Sequence, residues 1–545
     1  MILAVRMTHS PIYIGPSENF RKHLIPRKKP ARRKTPRQEW ITPGLIKCCN
    51  TKSKLYKNFK VNPSLLTELT YKKYRNKLKS VLKTAEREYY TNKLQFFSSD
   101  LKQYWTVLNG LLKGSAQENI ALNFNSNGAH TSDPLVIVNK FNEYFSNIGQ
   151  DLASKISATT DTFTSFLKGS FSNSFSLFPT TASEIINVCN NLPNKASMGL
   201  DEIPTNIMKK SIYCVADTLA HIINKSFKRG EFPDKLKIAK ICPVYKGGVR
   251  NEFSNYRPIS ILPSFSKIFE KVVHIRLHNY LFKHSIISDA QYGFRSKHST
   301  YMALVDLYDK VSKFIDERQV TLGVFVDLQK AFDTVNFNIL LKKLEHYGIR
   351  GSPLKWFESY LTNRFQSVSL NDVLSSPRRI TCGVPQGSIL GPLLFVIYIN
   401  DIVNSSQYIH FILYTDDTTL LFHAENFDKL IAKVNQELMN LSIWFRANML
   451  SLNVSKTNFI VFGSRLTDCS RFNNSVYFDK SLITQVDVTK FLGVYIDRKL
   501  TWKHHISQLC ITLSRKIGIM YKLCPTLPDK AVFSLYFTLI LPHLM

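Results

Sequence analysis

The sequence predicts an α+β domain of about 300 residues, with a mixed or antiparallel central sheet, behind a basic and mostly helical N-terminal region. Three observations carry that expectation. From about Thr181 onward, short apolar runs rich in β-branched and aromatic residues alternate with helical patterns. Upstream, residues 1–113 hold 25 Lys/Arg against 6 Asp/Glu, a net of +19 out of the chain's +32. Within the mixed part, carboxylates stand at the ends of two apolar runs, at Asp327 and at Tyr414-Thr415-Asp416-Asp417.

A chain of 545 residues that is 44% hydrophobic can bury a large core and divides into two to four domains. Its charge of +32 does not suit an enzyme of neutral metabolites and implies a polyanionic partner, nucleic acid before an acidic membrane. The nine cysteines show no CxxC pair and no regular spacing, which argues against a disulfide framework or zinc knuckle and for a reducing compartment. Met1–Met7 is too short for a signal peptide, and the longest apolar run, Ile389–Ile399, is too short to span a bilayer. An intracellular, nucleic-acid-facing chain is expected, with no membrane segment.

Taken in order, residues 21–37 (RKHLIPRKKPARRKTPR) contain no acidic residue and are broken by prolines, as in an extended arm for phosphates or a nuclear import signal. From Leu66 to Phe97 the pattern turns helical: Leu78, Val81, Leu82, Ala85 and Tyr89 recur at three- and four-residue spacing, with Lys72, Lys73, Arg75, Lys79 and Lys83 largely elsewhere. Residues 114–135, rich in Asn, Ser and Gly, are expected to link; a short helix follows over Leu135–Ile156, then an irregular connection over Ser157–Thr180. Thr181 or Ser183 is expected to cap a helix starting at Glu184.

Strands are predicted at Ile238–Tyr245, Val320–Leu328, Ile409–Leu413, Leu420–Phe422 and Phe459–Phe462, and helices at Ile268–Phe282, Thr300–Glu317 and Leu430–Ala447. Tyr414–Asp417 then reads as the tip of a hairpin. Adjacent aspartates on a fixed turn repel each other and call for a cation, for which magnesium, a taker of hard oxygen ligands, is suited. Taken alone, the pair is better read as a solvated turn, since Asp is common in turns. Asp327 ends the run Gly323–Val326, and in isolation it reads as a helix N-cap. Beside Asp416 it would complete a site for two magnesium ions. Between them, Gly383-Val384-Pro385-Gln386-Gly387-Ser388 leads into the apolar Ile389–Ile399; its glycines suit a close approach to a ligand that Gln386 would hydrogen-bond.

The succession VDLQKAFD (Val326–Asp333), GVPQGSILGP (Gly383–Pro392) and YTDD resembles motifs A, B and C of a reverse transcriptase. NYRPISILPSFSKIFEKVV (Asn255–Val273), QYGFRSKHST (Gln291–Thr300), SKTNFIVFG (Ser455–Gly463), KFLGVYID (Lys490–Asp497) and SMGLDEIP (Ser197–Pro204) are similar to the version found in non-LTR, LINE-type retrotransposons, jockey-like elements especially. The resemblance runs from Thr181 to Asp497, and residues 40–113 are similar to the segment that follows the endonuclease in such elements.

That resemblance implies a right-hand polymerase of fingers, palm and partial thumb. Residues 1–60 would be a basic arm, 61–113 a basic helical region, 114–180 a linker and fingers extension, 181–497 fingers and palm (core from about 226), and 498–545 a truncated thumb. It implies that Asp327, Asp416 and Asp417 are catalytic and bind two Mg²⁺, with the Val326 carbonyl as a further ligand. Lys246 and Arg257 would grip a deoxynucleoside triphosphate. Phe332 would exclude ribonucleotides by collision with the sugar 2′ position; a core phenylalanine is the alternative. Gln386 would touch nucleotide or template, Lys456 would be a general acid for pyrophosphate, and Phe491-Leu492-Gly493 would form a primer grip.

RNA template and DNA primer would be the partners, in nucleus or cytoplasm. Thr415 replaces the alanine most frequent in the family, no apurinic-type endonuclease precedes the polymerase, and the chain stops at Leu541–Met545, as in a reading frame cut from a longer element. A separate or missing endonuclease activity is therefore expected. A catalytically inactive remnant that still binds RNA and an intron maturase are the alternative readings; an RNA-directed RNA polymerase is disfavoured by the ring at Phe332.

Overall fold

A computed structural model describes residues 38–113, 124–126, 129–159, 161–463 and 475–545, so the Arg21–Arg37 arm lies outside the described residues. The chain divides into two compact units, Met1–Gln117 with Leu509–Met545, and Glu118–Gln508.

The first unit opens with α1 (Pro43–Val61), whose Leu45 N–H donates to the Thr42 hydroxyl and whose first helical position is a proline. Ser64 and Thr67 form a reciprocal capping box that starts α2 (Leu65–Phe96). This is the long basic helix of the sequence reading, but its apolar stripe is only partly used: Leu78 is buried and Val81 is 43% exposed. After α3 (Leu101–Lys113), the second unit begins with the hairpin β1 (Phe124–Ser126) and β2 (Ala129–Thr131), in a stretch the sequence suggested was only a linker. Phe124 accounts for it, since its ring is buried against Phe141 of α4 (Pro134–Ala153).

Thr181 caps α5 (Ala182–Asn191) as expected, and Gly230, at φ +70°, ends α6 (Thr205–Arg229). The chain then forms β3 (Ile238–Tyr245), β4 (Tyr256–Ile261), α7 (Ser264–Lys283), α8 (Thr300–Asp316), β5 (Val320–Val326), α9 (Phe337–His346), α10 (Ser352–Leu361), β6 (Arg364–Leu370), β7 (Val373–Leu374) and β8 (Arg378–Ile380). Next come α11 (Gly391–Ile399), β9 (His410–Tyr414), β10 (Asp417–Ala424), α12 (Phe427–Ala447), β11 (Asn458–Phe462), the hairpin β12 (Tyr477–Phe478) and β13 (Ser481–Leu482), β14 (Thr484–Gln485), β15 (Val488–Phe491) and β16 (Val494–Asp497). The boundary between the units falls within α13 (Lys503–Leu523). In the first unit, Ala531 and Leu535 of α14 (Asp529–Leu539) are buried in one apolar cluster with Leu94 and Leu108.

Two five-stranded sheets organise the second unit. The central one has the order β14-β11-β5-β10-β9, antiparallel except where β14 meets β11, and is therefore mixed as expected. The other has the order β4-β3-β6-β7, with β8 on β6. Alternation of side chains gives the central sheet two buried faces. Leu322, Val324, Leu420 and Phe459 share a core with α11 and α12, whereas Phe325, Leu421, Ile412 and Ile460 pack with Ala303, Leu307 and Val311 of α8. Burial on both faces is why the run at β5 is continuously apolar.

Candidate active site

Register places the carboxylates. Tyr414 pairs with Asp417, leaving Thr415-Asp416 as a two-residue turn between β9 and β10. On the other side of β10, Thr418 pairs with Val326, the last residue of β5. Asp417 and Asp327 are thus each one position beyond that final pair, side by side at the same end of neighbouring antiparallel strands.

The helix expected directly after Asp327 is absent. A short 3₁₀ turn, Ala331–Asp333, follows instead, entered through Lys330 in the left-handed conformation at φ +49°. Asp327 is therefore not a helix cap. Its own N–H donates to the Thr457 hydroxyl at 3.2 Å, its carbonyl accepts from the Asn453 N–H at 2.9 Å, and Asn453 Nδ2 donates to its Oδ2 at 2.7 Å. One side of the carboxylate is fixed and the other is left to the cleft.

Asp416 and Asp417 are reached by solvent at the turn, yet the surrounding walls crowd them. That partial desolvation, with repulsion from Asp416 and then Asp327, pushes the Asp417 carboxyl up to about 6. Desolvation also raises Asp416, helped by Asp327 and opposed by Arg257 and Lys246. Conversely, the Lys246 ammonium is held below its ordinary range by crowding and by Arg257 and Lys456. Val244 pairs with Arg257 and the Lys246 N–H donates to the Asn255 carbonyl, so the β3–β4 hairpin presents Lys246 and Arg257 together.

A cleft of about 510 Å³ is lined by Arg257, Asp327, Asp417 and Lys456 and also by Phe491, Leu492 and Gly493. In the β15–β16 hairpin Phe491 pairs with Val494, so Leu492 and Gly493, both at positive φ, form its two-residue turn. The Phe491 ring itself is buried, 5.8 Å from that of Phe325. A larger cavity, about 940 Å³, lies against α6 and α10, but its Lys225, Arg229, Lys237 and Lys355 are interspersed with Glu231, Asp234 and Glu358. The smaller cleft is the candidate because the aspartates converge there.

Gln386 does not point freely into this cleft. Its Nε2 donates to both carboxylate oxygens of Asp333 at 2.9 Å, and its carbonyl accepts from the Ser260 N–H at 2.7 Å. The close approach expected of the adjoining glycines is made to protein: a Cβ at Gly387 would lie 2.6 Å from the Ser260 carbonyl oxygen, and one at Gly383 about as near the Asp333 backbone. Phe332 is half-buried, with its ring stacked on Phe395 of α11 at 4.8 Å. Asn453 does not stand out in the sequence, and Thr457 and Asp333, though inside the quoted stretches, show nothing there of the partner each meets. Each is a lone polar residue whose partner is set by tertiary contact, and single-sequence spacing carries no trace of that.

The profile of the family described as "Reverse transcriptase (RNA-dependent DNA polymerase)" matches residues 245–496. That segment is a reverse transcriptase domain. Curated relatives agree. The chain is 30% identical over 343 residues to a protein described as the probable RNA-directed DNA polymerase from transposon BS of Drosophila melanogaster, covering 60% of this chain and 37% of the relative. It is 28% identical to the RNA-directed DNA polymerase from mobile element jockey of the same fly, covering 65% of this chain and 39% of the relative, and 28% identical to the probable polymerase from its transposon X-element, covering 55% and 33%. The resemblance to non-LTR retrotransposon enzymes is thereby borne out, while the chain spans little more than a third of these relatives.

Every residue of the candidate cleft falls inside the reverse transcriptase domain. Among the described residues no three His, Cys, Asp or Glu side chains form a ready-made metal cage. The domain offers instead three carboxylates at adjoining strand ends, of which Asp416 and Asp417 are raised by crowding and by their neighbours' charge. Hard, mutually repelling oxygen donors in an open cleft fit a divalent cation that shares its ligands with substrate phosphates. Among the described residues no helix is long and apolar enough to cross a membrane.

Proposed function

We propose that this chain is the RNA-directed DNA polymerase part of a non-LTR retrotransposon, extending a DNA 3′-OH along an RNA template with deoxynucleoside triphosphates. The observation that carries the proposal is the convergence of Asp327 and Asp417 in one cleft, with Asp416 at the adjoining turn and Arg257, Lys246 and Lys456 as electrostatic neighbours. A purely structural set of carboxylates would be paired off; these crowd one another, and Arg257 and Lys246 offset the rise of Asp416 only in part.

In this reading residues 181–497 are fingers and palm, with the central sheet as palm floor, the β3–β4 hairpin on the fingers, and 498–545 the start of a thumb. Asp327, Asp416 and Asp417, with the Val326 carbonyl, would hold two magnesium ions, and Asn453 would keep the Asp327 carboxylate turned for that task. The chemistry supplied by such a bound pair is activation of the attacking hydroxyl and neutralisation of the departing pyrophosphate. Arg257, with its planar fork, and Lys246 take the charge of the incoming triphosphate. Lys456 gives a proton to the leaving pyrophosphate oxygen. Phe332 bars a 2′-hydroxyl, and Gln386 acts from behind, through Asp333, on the floor under the new base pair. Leu492 and Gly493 steady the primer end.

The basic excess of the N-terminal fifth would hold template and primer through phosphates, so affinity falls steeply with salt. Reverse transcription on a chromosome needs nuclear entry, for which the Arg21–Arg37 run is suited. Extension of oligo(dT) on poly(rA) by the purified chain, with and without Mg²⁺, tests the proposal. Metal-dependent growth of the primer is expected. Template binding with no extension in any divalent cation would instead identify an inactive RNA-binding remnant.

A further inference from the structure

Thr415 carries no chemical role in the site described above, yet its backbone is under constraint. It is β-branched, 5% exposed, and held at φ +60°, where a branched side chain is seldom found. The constraint comes from the segment that leads into α8. Leu413 on the edge strand β9 donates to the Ala290 carbonyl and accepts from the Tyr292 N–H, both at 2.8 Å, so Gln291 lies alongside it in parallel register. The Gln291 side chain then turns onto the hairpin tip. Its Oε1 accepts from the Thr415 N–H at 3.0 Å and from the Gly293 N–H at 2.7 Å, and the residue is 1% exposed. Gly293 completes the seat, because a Cβ there would stand 2.6 Å from Thr415 Oγ1 and 2.7 Å from its backbone nitrogen.

We infer that Gln291 is a positioning residue of the catalytic turn. One buried oxygen satisfies the N–H of the strained residue next to Asp416, and so holds the turn in the conformation that aims the Asp416 carboxylate at the cation. This deepens the polymerase reading and rests on it for the cation's purpose, though not for the geometry. An unsupported Thr415 would relax toward negative φ and swing Asp416 away. A glycine at 415 adopts positive φ without strain and no longer needs the clamp.

The test uses the full chain and reads Mn²⁺ binding by paramagnetic relaxation of water, with Asp416→Asn defining the signal that belongs to the site. Gln291→Met keeps the length of the side chain and removes the acceptor. It is expected to weaken Mn²⁺ binding, and to slow single-turnover nucleotide addition, on the order of ten- to a hundredfold, with primer–template affinity unchanged. Adding Thr415→Gly to that variant is expected to restore both. Undiminished Mn²⁺ binding in Gln291→Met overturns the inference, as does a loss that Thr415→Gly fails to repair, since Gln291 would then be general scaffolding. Should Gln291→Met melt before wild type and fail to fold, Gly293→Ala decides: it pushes the same turn from the other side, and retained Mn²⁺ affinity overturns the inference. Wild type that binds Mn²⁺ without extending primers would sink the polymerase reading alone, leaving the binding series to judge the clamp.

Discussion

Asn453 holds Asp327 at two points: its side-chain nitrogen donates to the carboxylate at 2.7 Å and its backbone N–H to the Asp327 carbonyl at 2.9 Å. The loop after α12 is thereby tied to the end of β5, and the free carboxylate oxygen is left facing the cleft. Truncation to alanine removes the side-chain contact while the backbone bond remains. Asn453→Ala is expected to lower turnover about 10- to 100-fold, as does loss of the group that orients a metal-binding carboxylate, and to raise the Mg²⁺ concentration needed for half-maximal extension. Steady-state primer extension across a Mg²⁺ titration measures both; an unchanged Mg²⁺ requirement contradicts the assignment.

The Phe332 ring lies on Phe395 at 4.8 Å and is half-buried, packed against the core from that side. A rigid ring backed by a buried one makes a firmer barrier than a free side chain. Phe332→Val is expected to raise ribonucleotide incorporation relative to deoxyribonucleotide by roughly tenfold or more, with little effect on deoxyribonucleotide use. Competition between rUTP and dTTP on a poly(rA) template gives the ratio. An unaltered sugar preference returns Phe332 to the core.

Burial pushes the Asp333 carboxyl up to about 6, although the Gln386 amide and Lys330 draw it downward. The folded chain therefore holds this proton at pH values where the unfolded chain, with an ordinary carboxyl, has released it. Between those two values the folded state binds more protons, so stability falls as pH rises through about 4 to 6, by roughly 1–3 kcal/mol in all. Asp333→Asn cannot titrate, and other carboxylates cancel in the comparison. Urea unfolding of both proteins from pH 4 to 7 should show wild type losing stability relative to the variant as pH rises; parallel curves contradict it.

Much of this is legible in the residues themselves. Where a run has one strong period or one strong cap, the sequence leads to the right element: the continuous apolar stretch at β5, the hairpin of β9 and β10 and the Thr181 cap each depend on neighbours in sequence. The β1–β2 hairpin escapes such a reading because its support, Phe124 against Phe141, is a tertiary contact made by a single residue. Gln386 shows the same limit at the site. Its place in the loop is plain, but Asp333, which holds its amide, lies 53 residues away in the chain. The clamps on Asp327 and Thr415 are likewise long-range, at separations of 126 and 124 residues, and no local spacing announces them.

Asp416 tests the account most directly, for it stands at the turn that gives β9, β10 and Asp327 a common purpose. Asp416→Asn preserves shape and removes the charge that would bind the cation. Wild type and variant should bind a poly(rA)/oligo(dT) duplex with nearly equal affinity, while the variant's nucleotide addition falls by at least about a thousandfold. Primer extension by Asp416→Asn at a rate near wild type would contradict the account.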